Sequence, residues 1–373
     1  MLAMPSSRLL LITASLALLL TGSAARACNV PVFRFALESR RWLPDAFELT
    51  VFHRGALNAD QLQWLDAMRQ RCRREGGFLN LDVEIIDVTG PIPEESRKLW
   101  KAHESERLPC VVLRFPEADE DTPAAWSGPL DERTADLLGD SPMRREIIRR
   151  LLSGDSVVWL LLESGDRDAD EKARQLLAQR LPALEREIQL PTLQDDDRRH
   201  LQSKVPLRIA FPGIRLSRTD PAEAFLIRVL LASHPGVEKQ TGPLVFPLFG
   251  RGRVAAPLYG KHLTAEDVEE TAIYLCGPCS CEVKRDNPGS DLPFAVDWDS
   301  ALGSGGPGKE LLGGELPSVP ALTPAPGEDR RTAPAPAGED ALARSLFWTA
   351  LGLLGTVVLG AVLLALRGKR TEV

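Results

Sequence analysis

From Phe47 onward the chain spells one succession of element types twice, and this repetition constrains the possible folds more than any composition figure does. FELTVFH (Phe47–His53) alternates apolar and polar residues and is rich in strand formers. Asn58 can cap the helix that follows, which places Leu62, Leu65, Met68 and Cys72 at helical spacing and is stopped at Gly76-Gly77. A second strand, LDVEIIDV (81–88), leads to a short helix over 93–103. The strand CVVLRF then follows Leu108-Pro109, another strand lies around Trp126 (124–128), and a closing helix runs from Asp131 to Leu152 with a break at Pro142. The order is βαβαββα.

Residues after Asp155 repeat it. SVVWLLLE reads as a strand, 168–188 as a helix, PLRIAF (206–211) as a strand and 220–233 as a helix. PLVFPLF and RVAAPLYG make a strand pair, and 264–275 closes as a helix whose start is marked by Thr264 with Asp267 three residues on. A proline opens the third strand of each pass, in Leu108-Pro109 and in Gly242-Pro243.

That order resembles the thioredoxin-like fold, a four-stranded mixed sheet covered by helices on both faces; the alternative is an unrelated three-layer α/β sandwich. The resemblance implies an α/β protein with two consecutive thioredoxin-like domains, 46–153 and 154–298, preceded by an N-terminal segment 28–45. It also implies a reactive surface where the first strand of each domain meets its first helix, at His53-Arg54-Gly55-Ala56 and Ser164-Gly165-Asp166-Arg167. Neither site holds a cysteine, so His53 and Arg54 become candidates for binding a ligand or partner, against the plainer reading of polar residues closing a strand.

The tetrapeptide with which thioredoxins react, CGPC, stands elsewhere, at Cys276 to Cys279, followed by Cys281. It comes after the helix that carries Leu263, Val268, Ala272 and Leu275 on one face, so Gly277 reads as the residue that stops that helix and Pro278 as the one that prevents its continuation. At a helix C-terminus the dipole raises a thiol pKa instead of lowering it. Three uses remain open: structural disulfides, with Cys28 to Cys279 or Cys281 the preferred bridge; a thiol-disulfide oxidoreductase site of Cys276 and Cys279; and a Cu or Zn site of Cys276, Cys279 and Cys281. Cys72 and Cys110 read as buried thiols.

Both ends of the chain bear on compartment. Residues 1–27 have an early Arg8, an apolar run and Ala25-Arg26-Ala27, the pattern of a cleaved export signal, which leaves Cys28 first in the mature chain. The 22 residues from Ser345 to Leu366 carry no charge and are followed by Arg367, Lys369 and Arg370. This predicts one transmembrane helix with the tail 367–373 inside and the rest outside. Gly352, Thr356 and Gly360 recur at every fourth position, a stripe that would let two such helices pair as a homodimer. Between domain and helix, 15 of the 46 residues of 299–344 are Pro or Gly, which predicts a disordered tether. The net charge of -7 gives no electrostatic reason to expect nucleic acid. CNVPVFR, VFHRG and GPCSC also resemble an uncharacterised family of exported, membrane-anchored bacterial proteins. The expectation is a single-pass envelope protein without cofactor, whose ectodomain binds or scaffolds an envelope partner.

Overall fold

The computed structural model describes residues 28–72, 78–198, 201, 203–279, 283–287, 289–304 and 320–322. The expected export signal 1–27, most of the tether, the membrane helix 345–366 with Gly352, Thr356 and Gly360, the tail 367–373 and Cys281 lie outside the described residues. Among those described, no helix is long and apolar enough to cross a membrane.

The first repeat is preceded by a buried helix, α1 (Val32–Glu38), and contains β1 (Phe47–His53), α2 (Ala59–Arg71), β2 (Leu81–Asp87), α3 (Glu94–His103), β3 (Cys110–Arg114), β4 (Trp126–Pro129), α4 (Glu132–Gly139) and α5 (Pro142–Leu152). The second contains β5 (Val158–Glu163), α6 (Arg167–Glu187), the short α7 (Asp195–Arg198), β6 (Gly213–Ser217), α8 (Ala224–Ala232), β7 (Leu244–Phe249), β8 (Arg253–Val254), β9 (Leu258–Tyr259), α9 (Ala265–Cys276), β10 (Ser290–Asp291) and α10 (Trp298–Ser304). Helix starts follow the sequence signals. Asn58 and Gln61 form a reciprocal capping box on α2, Ser141 caps α5 with Pro142 in its first turn, and Thr264 caps α9.

The two sheets are built alike. In the first, the order is β2-β1-β3-β4, with β1 parallel to β2 and antiparallel to β3. In the second, β6-β5-β7-β8 follows the same order and the same directions, with β10 added beside β8 and β9 pairing β7. One expected strand is corrected: PLRIAF does not join the ladder, and GIRLS, directly after it, does, with Trp159 opposite Gly213. PLRIAF is a longer and more apolar run, but its bonds to Ser156 and Val157 are the Ala210 carbonyl accepting from Ser156 N and Val157 N and two through the Ser156 hydroxyl, to Arg208 O and from Ala210 N, while Leu207, Ile209 and Phe211 pack beside α6.

Alternation sorts the core into two faces per sheet. Phe52, Ile86, Cys110 and Val112 meet Leu99 and Trp100 of α3 on one face of the first sheet. The opposite face, with Phe47, Leu49, Val51, Val111 and Leu113, belongs to a cluster that continues without interruption into Leu160, Leu162, Phe246 and Leu248 of the second sheet and into α8. Both sheets therefore sit in one compact unit. At the seam Phe225 of α8 meets the Trp126 ring edge-on at 5.9 Å and the Arg144 guanidinium at 5.1 Å. Arg144 is buried, donates to the carbonyls of Leu138 and Pro293 and to Ser141 Oγ, and is pushed down to about 10 by burial. Glu223, buried beside it, accepts from Met143 N, and burial raises its pKa.

Two segments close the unit. The N-terminal residues pair backbone to backbone with the end of α9: Pro31 faces Pro278, Val32 N donates to Gly277 O at 3.0 Å, and Cys279 N donates to Val30 O at 2.9 Å. At the other end the expected tether is corrected at its start, because Trp298, Ala301 and Leu302 of α10 are part of the core. Residues 292–295 also bond the first repeat through Asn80 and Leu79. Three apolar side chains at helical spacing outweigh the local Gly content.

A shared core predicts shared unfolding. Phe225→Ala removes a fully buried ring at the seam and is expected to cost about 3–5 kcal/mol, with both repeats melting in one transition when urea unfolding is followed by tryptophan fluorescence and circular dichroism. Two separate transitions would show that the repeats are independent.

Candidate functional site

A cleft of about 410 Å³ opens where β1 hands over to α2. Its walls are His53, Arg54, Ala56, Leu57 and Gln61 on one side and Glu104, Glu106, Leu108 and Pro109 on the other. The parallel pairing of β1 with β2 brings His53 level with Asp87, and the antiparallel pairing with β3 brings Phe52 level with Cys110. The loop between α3 and β3 thereby faces the start of α2. The Leu108-Pro109 peptide is cis, and Gly55 has φ +68°, a conformation that glycine adopts without strain.

Charges of both signs meet in this cleft. His53 Nδ1–H donates to Gly55 O at 2.8 Å, which leaves Nε2 as the remaining hydrogen-bonding atom of the ring. Arg54 is exposed. Across the cleft, Glu106 accepts from Ser127 Oγ at 3.0 Å and meets His103 Nδ1 at 2.6 Å. Beneath Pro109 the Cys110 thiol is pushed up to about 11 by burial, with the negative charge of Glu106 adding to the effect, so it stays protonated and unreactive. At the start of α2 the Asn58 Oδ1 accepts from Gln61 N at 2.8 Å. The cleft is lined by groups of both charges, as suits a polar chain with its own donors and acceptors better than an apolar ligand.

Asp87 fixes the loop that carries the cationic wall. Its carboxylate accepts from Thr89 N at 2.9 Å, Thr89 Oγ1 at 2.8 Å and Gly55 N at 3.2 Å, and these bonds, Thr89's first, lower its pKa. The corresponding loop of the second repeat closes on itself. There Asp170 accepts from Ser164 N, Ser164 Oγ and Gly165 N at 2.8–2.9 Å, and Glu163 is bound to Arg215.

Cys276 and Cys279 belong to neither strand-to-helix junction. Cys276 is the last residue of α9, only 1 % exposed, and burial pushes its thiol up to about 12. Gly277 follows as the C-cap, its N–H returning to Ile273 O. Cys279 is buried in the same cluster and Cys28 is half-buried at its edge. No disulfide joins two of the described cysteines. Cys72 and Cys110 lie in core clusters on opposite faces of the first sheet. Among the described residues no group of three or more His, Cys, Asp or Glu is placed to hold a metal ion, and Cys281, the third thiolate of the expected set, lies outside them.

His53 and Arg54, the binding candidates named from the sequence, line this cleft together with Gln61, Glu104 and Glu106, and Asp87 lies beside it; the sequence singled out none of these four. Gln61 lies in α2, Asp87 ends β2, and Glu104 and Glu106 lie in the turn after α3, so their meeting with His53 depends on strand register and no local pattern marks them.

Because the folded Asp87 pKa is depressed, its anchoring is complete above the ordinary carboxylate value of about 3.9 and is lost as pH falls through the lowered one. The amide nitrogen and proton resonances of Thr89, whose N–H bonds the Asp87 carboxylate, are therefore expected to hold their positions from pH 7 down to about 4 and to move only below it. Asp87→Asn should move them already at pH 7, and a titration of the wild type between about pH 5 and 6 would contradict the anchor. No protein-family model, no curated protein and no solved structure matches this chain.

Proposed function

We propose that this chain is a membrane-anchored protein of the bacterial envelope whose ectodomain consists of two thioredoxin-like repeats without a reactive cysteine pair, and that it binds or scaffolds an envelope partner through the cleft of the first repeat. The observation that carries this reading is the cleft itself, with His53 and Arg54 on one wall and Glu104 and Glu106 on the other. The common strand order of the two sheets supports the thioredoxin-like assignment. Both strand-to-helix junctions lack cysteine, and the one CxxC of the chain sits at a helix C-terminus, buried. Under these conditions a thiolate is disfavoured by desolvation and by the helix dipole, which weighs against an oxidoreductase that uses Cys276 and Cys279.

In this reading the thiols serve structure. Backbone pairing of Val30 to Val32 with Gly277 to Cys279 already holds the N-terminal segment against the end of α9. A bridge from Cys28 to Cys279 or Cys281 in an oxidising compartment would lock that contact. The export signal, the tether and a membrane helix from Ser345 to Leu366 complete the layout.

A photo-crosslinking residue in place of Ala56, which lines the cleft and is exposed, is expected to give a discrete protein adduct in intact cells, whereas one in place of Lys172 on α6 gives none. Arg54→Glu in the Ala56 background should cut the adduct about tenfold, on the order of one lost charge contact. Equal adducts at both positions, or a yield indifferent to Arg54→Glu, would refute the cleft as the binding surface.

A further inference from the structure

Strand β6 is the outer strand of the second sheet, bonded on one side to β5. Its free side presents the backbone groups of alternate residues, Gly213, Arg215 and Ser217. An open edge of this kind invites another strand. Part of it is occupied by a piece of the expected tether: Arg215 N donates to Pro320 O at 2.9 Å, Leu322 N donates to Gly213 O at 3.0 Å, and Ile214 faces Ala321 in an antiparallel bridge.

A second observation shows that this edge is shaped for its occupant. Leu322 is half-buried and packs onto the cluster that holds Trp159, Leu161 and Leu181. A Cβ on Gly213 would lie 2.0 Å from Leu322 Cδ1 and 2.8 Å from Cγ. The missing Cβ of Gly213 thus leaves the space that the Leu322 side chain fills.

The occupant nevertheless fits imperfectly. In this register Pro320 stands opposite Arg215, where a strand would return an N–H to the Arg215 carbonyl, and proline has none. Two main-chain bonds and one leucine make a weak attachment.

We propose that the outer edge of β6 is a strand-addition site for an extended segment of a partner protein that places a leucine over Gly213 and offers an N–H where the tether has Pro320, and that Pro320 to Leu322 is a weak internal occupant that such a segment displaces. Main-chain bonds supply the affinity and the slot above Gly213 supplies the selectivity. This surface is distinct from the His53 and Arg54 cleft.

The test uses the full chain in detergent and two labelled peptides: the native Leu316 to Pro324 sequence LPSVPALTP, and the same peptide with Pro320→Val. In the Leu322→Asp chain the Arg215 amide is expected to exchange faster than in the wild type while β5 amides stay protected, and fluorescence anisotropy should show both peptides binding. The valine peptide should bind roughly fivefold tighter, the worth of one net hydrogen bond, and the wild-type chain should bind each peptide more weakly because its own segment competes. Gly213→Val added to Leu322→Asp fills the slot with a residue that strands favour and should abolish binding. Arg215 exchange unchanged by Leu322→Asp, no binding of either peptide to that chain, or binding that survives Gly213→Val would each overturn the proposal.

Discussion

The apolar seam between the repeats is the constraint on which the rest of the structure depends. Each sheet has two faces to bury. The first repeat covers one with α3 and leaves the other to a cluster that runs through α8 into the second sheet. Because that cluster is continuous, the seam can hold a buried guanidinium, provided its N–H groups are answered by carbonyls as those of Arg144 are. It also explains why the ends of the unit are drawn in. Residues 292–295 bond to the first repeat, and α1 packs against α9 and β7, so neither repeat is sealed by its own sequence alone.

With the seam holding the repeats together, their two strand-to-helix junctions can diverge. Asp170 draws the junction of the second into a closed loop, whereas Asp87 anchors the first only at its base and leaves Arg54 and Ala56 facing the loop before β3. Where β1 meets α2 the cleft is lined by an imidazole and a guanidinium together with two carboxylates. Such a site can bind but has no thiolate with which to exchange disulfides.

Much of the fold was legible in the sequence because alternation and caps are local signals. FELTVFH, the Asn58 and Thr264 caps and the break at Pro142 are all in place, and CGPC ends a helix as its preceding apolar face implies. The failures have a common cause, which is that pairing and burial are not local. PLRIAF has a better strand composition than GIRLS, yet the ladder of β5 reaches the latter. Trp298, Ala301 and Leu302 lie in a Gly-containing stretch that only the shared core makes helical. The acidic wall of the cleft follows from register between β1 and β3, and the close approach of Leu322 to Gly213 joins residues far apart in the chain.

The central claim is that the cysteine pair of this chain is structural and the cleft of the first repeat is for binding. The most direct test exports residues with their native N-terminus into an oxidising compartment, equilibrates the protein against graded glutathione buffers, and reads each cysteine by differential alkylation and mass spectrometry. The account predicts that Cys276 and Cys279 do not form a mutual bridge that opens at mild potential, and that Cys28, if bridged, is released only as the fold is lost. A Cys276–Cys279 disulfide that opens and closes reversibly near the potential of a thiol-disulfide oxidoreductase, with the fold intact, would contradict it.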